Sequence, residues 1–177
     1  MSYITTDNLT NIMAEMTDYC NAACPMCNRF DWDLKLVKGI TNTHHTTLQF
    51  IKDRIGDEII SRLEGWTCQG TYGDASMNPE TIDIFKYLRE VNPNIQINMY
   101  TNGGARNKDF WKALAVLDVI ITFGIDGLED TNHLYRRNVK WQNLMENVKT
   151  FIGNGGHAKW DLLVFKHNQH QINKAKS

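Results

Sequence analysis

Short apolar runs alternate with segments of helical periodicity from residue 11 to residue 165. "NIMAEMTDY" (11–19) predicts a first strand that ends at Cys20, and "WTCQG" (66–70), "IQINMY" (95–100), "VIITFG" (119–124) and "AKWDLLVF" (158–165) predict four more. The segment from Thr47 to Leu63 predicts one helix, with Leu48, Ile51, Ile55, Ile59 and Leu63 on a single stripe. Thr46 and Gln49 have the spacing of a capping box at its start, and Gly65 lies just past its end. Asn78 followed by Pro79 predicts the cap and first position of a second helix that stops near Pro93. Residues 107–118 and 141–152 predict two further helices. Intervals of roughly twenty to forty-five residues between strands are too long for hairpins and suit helical crossovers between parallel strands. The pattern therefore predicts five β/α units in one parallel sheet. At 177 residues the chain falls short of the roughly 250 that a closed eight-stranded barrel takes, so the expected form is a partial, open (β/α) barrel.

In such a fold, sites form where loops leave the C-terminal ends of the strands. The unusual residues of this chain collect there. "YCNAACPMCNR" follows the first strand, "GTYGDASMNPE" the second, "TNGG" the third, "GIDG" the fourth and "KHNQH" the fifth. Any one of these clusters could be turn chemistry alone. Their shared placement on one rim points to a site.

Three of the four cysteines lie in the first cluster, as Cys20, Cys24 and Cys27 in a CxxxCxxC spacing. Three thiols suit an iron–sulfur cluster with one open iron, or a catalytic zinc with one open position. Spacing does not choose between them. A closed structural zinc site would need a fourth ligand, for which His44, His45 and Cys68 are nominally available. A formal charge of −1 gives no electrostatic footprint for nucleic acid or an anionic membrane. No apolar run is long enough to span a bilayer, and "MSYITTDNLTN" lacks the basic and apolar regions of a secretory signal. These features predict a reducing, cytoplasmic setting that favours metal chemistry over disulfides.

"CNAACPMC" after a first strand, "GD" after the second, "TNGG" after the third and "IDG" after the fourth together resemble the radical S-adenosylmethionine (radical SAM) enzymes. The resemblance is to the peptide- and protein-modifying members and the molybdenum-cofactor-biosynthesis enzymes, and it covers about residues 12 to 170. It implies a 4Fe–4S cluster on Cys20, Cys24 and Cys27, with S-adenosylmethionine closing the fourth position. It also implies reductive cleavage of that cosubstrate to methionine and a 5′-deoxyadenosyl radical, and an electron donor such as flavodoxin or ferredoxin. Gly73 and Asp74 match the family's turn that receives the methionyl ammonium. Thr101 and Asn102 lie where the family approaches the nucleoside, and Asp126 stands in the fourth-strand motif. Gly124 replaces a serine common in relatives. Arg136 or Arg137 would pair with the methionyl carboxylate, and spacing does not decide which. Met26 takes a position where many relatives pack an aromatic ring on adenine.

The family usually has six strands, and five are recognisable here, so the expectation is a single core domain over 1–177 with no sixth strand. An uncovered fifth strand predicts a homodimer or another partner at that edge, and an open rim admits a peptide more readily than it encloses a small molecule. Two other functions fit the same residues: a non-catalytic cluster- or SAM-binding module, and a zinc-stabilised interaction domain.

Overall fold

The computed structural model describes residues 5–176; residues 1–4, part of the stretch read for an export signal, lie outside it, as does Ser177. Five strands, β1 (Asn11–Ala14), β2 (Gly65–Cys68), β3 (Gln96–Thr101), β4 (Ile120–Gly124) and β5 (His157–Asp161), form one open sheet in chain order. Every neighbouring pair is parallel. Helices fill the crossovers: α1 (Leu48–Arg54) and α2 (Gly56–Ile60) before β2, α3 (Thr81–Val91) before β3, and α4 (Lys108–Val116) before β4. The short α5 (Asn132–Tyr135) and the longer α6 (Trp141–Gly153) precede β5, and α7 (Ile172–Ala175) follows it. Sequential strand order with right-handed crossovers puts these helices on one face of the sheet. Among the described residues no helix is long and apolar enough to cross a membrane.

Alternation along the strands separates two faces. Trp66, Ile97, Met99, Ile121 and Phe123 are buried toward the helices. There Phe123 packs between Trp111 of α4 and Phe151 of α6, with ring centroids 5.5 and 6.0 Å away. Fully burying side chains of this size stabilises the fold by about 1.5–3 kcal/mol each. The opposite face carries Thr67, Asn98, Tyr100, Thr122 and Gly124, with Ile120 beside Asn98 at its start. Apolar packing thus holds the helices, and a largely polar face is left for the barrel interior.

Several elements differ from expectation. The helix expected over 47–63 breaks at Gly56, which adopts φ +71°. Of the predicted stripe Ile51 and Leu63 are buried and Leu48, Ile55 and Ile59 are partly buried against the core, while past the break Ile60, off the stripe, becomes fully buried. Thr47, not Thr46, caps α1, accepting the Phe50 amide at 3.1 Å; Thr46 instead donates its hydroxyl to the Glu15 carbonyl. The helix expected from Pro79 begins at Thr81. Asn78 is fully buried and works as a cross-link, donating to the carbonyls of Met16 and Thr46, both at 2.7 Å, and accepting the Glu80 amide. The first strand stops at Ala14, and beyond it Thr17 bridges antiparallel to His45. The last strand stops at Asp161, and all five of its residues are exposed.

Candidate functional site

The cysteine loop leaves β1 and is anchored from both sides. Asp18 accepts the amides of Thr41 and His44 and the Thr41 hydroxyl at 2.8–2.9 Å, which fastens the segment 37–47 against the loop. Burial works to raise the Asp18 pKa, but these hydrogen bonds outweigh it and hold the carboxyl well below its usual range. On the other side Gly73 meets the loop backbone. A Cβ at this position would fall 2.2 Å from the Thr17 carbonyl oxygen and 2.7 Å from that of Tyr19, so only glycine permits the approach. The Asp74 amide then donates to the Tyr19 carbonyl at 2.9 Å.

Held in this way, Cys20, Cys24 and Cys27 open onto one cavity of about 270 Å³. Arg29, Asp74, Tyr100, Thr101, Asn102, Thr122, Gly124, Arg136 and Asp161 also line it. Burial pushes the Cys20 thiol up to about 12, with the Asp74 charge adding to the effect and the Ala22 amide and Arg29 opposing it. Burial also raises the Cys24 thiol, against the pull of Arg136. Both thiols are therefore neutral near pH 7, and any metal they bind must displace their protons.

Asp74 is the hub of the β2–β3 side. Its Oδ1 accepts the Ser76 amide at 3.0 Å and hydroxyl at 2.7 Å. Its Oδ2 accepts the Asn102 amide and side-chain Nδ2 at 2.9 and 2.7 Å, and the Thr101 hydroxyl lies 2.9 Å from both oxygens. Asn102 in turn bonds Asn21, next to Cys20, through its side-chain amide. One carboxylate so ties the second-strand loop, the end of β3 and the cysteine loop together.

Asp126 is the hub of the β4–β5 side and is fully buried. Its Oδ2 accepts Arg136 Nε at 2.6 Å, and its Oδ1 accepts the Leu163 amide at 2.7 Å. Asn132 accepts the Asp126 amide and Asn168 donates to its carbonyl, which fixes the strand end from both neighbouring loops. Burial would lower the Arg136 pKa, but the Asp126 charge outweighs it and keeps the guanidinium protonated. That guanidinium lies over Gly124, where a Cβ would sit 2.3 Å from Nη2, and its Nη1 is 3.9 Å from Cys24 Sγ. The missing side chain at position 124 is filled by the arginine.

Of the residues singled out from sequence, Cys20, Cys24, Cys27, Asp74, Thr101, Asn102 and Arg136 share the cavity wall. Gly73 and Asp126 sit behind it as supports. Arg137 is exposed; its carbonyl accepts the Ala23 amide and its own amide donates to the Tyr135 carbonyl. Met26 is 74% exposed. Sequence reasoning missed Asn21, Ser76 and Arg29; the two nearest the cysteines were legible only as polar neighbours of the motif. The nominal zinc ligands are engaged elsewhere. His44 Nδ1 lies against Thr41 and Asp18, His45 Nδ1 against the Thr17 hydroxyl, and Cys68 is buried at the end of β2. Among the described residues no three His, Cys, Asp or Glu side chains gather closely enough to hold one metal ion.

The family model of the radical SAM superfamily matches residues 14–172. A search of curated protein sequences found no match. Among solved structures, native anSMEcpe with bound AdoMet superposes with a TM-score of 0.73 at 14% identity, over 95% of this chain and 47% of that one. The same protein with bound AdoMet and Cp18Cys peptide gives 0.71 at 15%, over 95% and 46%. A radical SAM methyltransferase from Sphaerobacter thermophilus gives 0.63 at 16%, over 99% and 52%. The chain thus spans about half the length of the structures it resembles, and at these identities the likeness is one of fold.

Proposed function

The chain belongs to the radical SAM superfamily, and from that premise we propose that its rim cavity holds a 4Fe–4S cluster on Cys20, Cys24 and Cys27 and S-adenosylmethionine beside it. The observation that carries the reading is that three separate thiols and a guanidinium share one cavity. When bound, the cluster supplies an electron to the sulfonium of the cosubstrate, which yields methionine and a 5′-deoxyadenosyl radical able to take a hydrogen atom from a substrate.

The protein's own groups prepare the site. Three cysteines, and not four, leave one iron for the cosubstrate. Arg136 spends Nε on Asp126 and keeps its terminal nitrogens for a carboxylate, which a planar fork suits. Arg136, not the exposed Arg137, takes this role. The Asp74 carboxylate is consumed by protein donors, so its work is to hold Thr101, Asn102 and the second-strand loop in place and to lend negative charge toward an ammonium. The protons on Cys20 and Cys24 leave when the metal arrives. A peptide is the substrate class we favour, because the residues of β5 at the sheet edge are exposed and because a structural neighbour carries a bound peptide.

Anaerobic reconstitution tests the reading. Iron and acid-labile sulfide should bind in near-equal amounts, and dithionite should produce 5′-deoxyadenosine from S-adenosylmethionine. Cys24→Ala should lose both signals. A mononuclear zinc centre in oxygen-free protein would end the proposal.

A further inference from the structure

Arg29 is 2% exposed, yet it has no anionic partner among the described residues. Its Nη2 donates to the Asp18 carbonyl at 3.1 Å and to the Asn42 side-chain oxygen, both neutral acceptors. Its Nε is buried with no hydrogen-bond partner among the described residues. The guanidinium stands 5.6 Å from the Phe30 ring centroid, a cation–π contact that offsets only part of its lost hydration. Burying a cation is unfavourable unless an opposite charge is supplied. Arg136 meets that requirement through Asp126; Arg29 pairs with no carboxylate among the described residues.

Both guanidiniums line the cavity of the three cysteines. Asp74 lines the same cavity but is already engaged by amides and hydroxyls.

Resting on the cluster reading above, we propose that Arg29 is the fixed counter-charge of the anion assembled by the three cysteines, and that it sets the reduction potential and the binding strength of the cluster from the Cys20 side. Reduction adds an electron to a group that is already anionic, and a fixed positive charge favours the more negative state. Removing that charge therefore makes the cluster harder to reduce. At a fixed potential the ratio of reduced to oxidised cluster falls roughly tenfold for a unit charge this close, with the attenuation of a partly polar interior.

The experiment compares wild type, Arg29→Lys and Arg29→Gln, each reconstituted without oxygen. Reductive titration is followed by electron paramagnetic resonance, and thermal unfolding is measured with and without the cluster. Arg29→Gln should titrate at a more negative potential and gain less thermal stability on cluster loading than wild type, while Arg29→Lys stays near wild type in both. Equal midpoints and equal stability gains for wild type and Arg29→Gln overturn the proposal. Equal losses in the lysine and glutamine variants also overturn it, because they assign Arg29 to the geometry of its fork and not to its charge. Should Arg29→Gln fail to fold, a lysine variant matching wild type supports the charge role, and a lysine variant that also fails to fold overturns it. A wild-type protein that takes up no cluster sinks the reading of the site itself, an outcome distinct from equal midpoints in loaded proteins.

Discussion

Asp74 and Asp126 occupy equivalent places, each a buried carboxylate just past a strand end on the same rim, yet their surroundings differ in kind. Asp74 is met by amides and hydroxyls, all neutral. Asp126 is met by a guanidinium and an amide. The neutral shell leaves the Asp74 charge without a directly paired cation, whereas the ion pair balances Asp126 and leaves an arginine facing the cavity. Hydrogen bonding satisfies both carboxylates; only the choice of partner decides what field each one projects.

Mutation can break this contrast, and the largest effect belongs to the charged pair. Asp126→Asn leaves Arg136 partly buried without its anion and should cost about 3 kcal/mol in urea unfolding of the apoprotein. Asp74→Asn presents an amide to donors that need an acceptor and should cost about 2 kcal/mol. Equal costs for the two would erase the distinction between the hubs. Next comes Gly124→Ala, whose methyl displaces the Arg136 guanidinium and should cost about 1–2 kcal/mol. In an Arg136→Ala background the same change should cost little, and an additive double-mutant cycle would show that the two positions do not meet.

Asp18 sharpens the comparison as a third carboxylate with predominantly neutral donors. Its pKa is depressed in the folded chain, so its contribution to stability is complete above the ordinary value of 3.8 and is lost as pH falls below it toward the folded value. Unfolding midpoints measured below pH 4 should fall less steeply for Asp18→Asn than for wild type. The smallest effect is expected for the exposed Arg137. Its replacement by alanine should change stability by no more than about 0.5 kcal/mol and leave cosubstrate binding intact, in contrast to Arg136→Ala.

Much of this was legible in the sequence. Alternating periodicities gave five strands in the right places, and helical crossovers between them gave a parallel sheet with its loops on one rim. The break at Gly56 was not, because the apolar stripe runs through it and the spacing stays compatible with a continuous helix. Thr46 and Thr47 offer the same hydroxyl at adjacent positions, so only the backbone decides which one caps. Asn78 beside Pro79 carries a strong helix-start signal, and the protein uses the amide for a long-range cross-link instead. Arg136 and Arg137 became distinguishable once the short α5 turned one toward Asp126. Arg29 follows the cysteine motif by two residues, but no pattern announces a buried charge whose partner is not protein.

The carboxylate that steers Arg136 also grips the backbone just beyond the exposed last strand, through the amide of Leu163. Its two oxygens therefore clamp two stretches of one wall, the Arg136 side chain and the Leu163 backbone, so the residues that follow β5 share a single anchor with the guanidinium and line the same cavity.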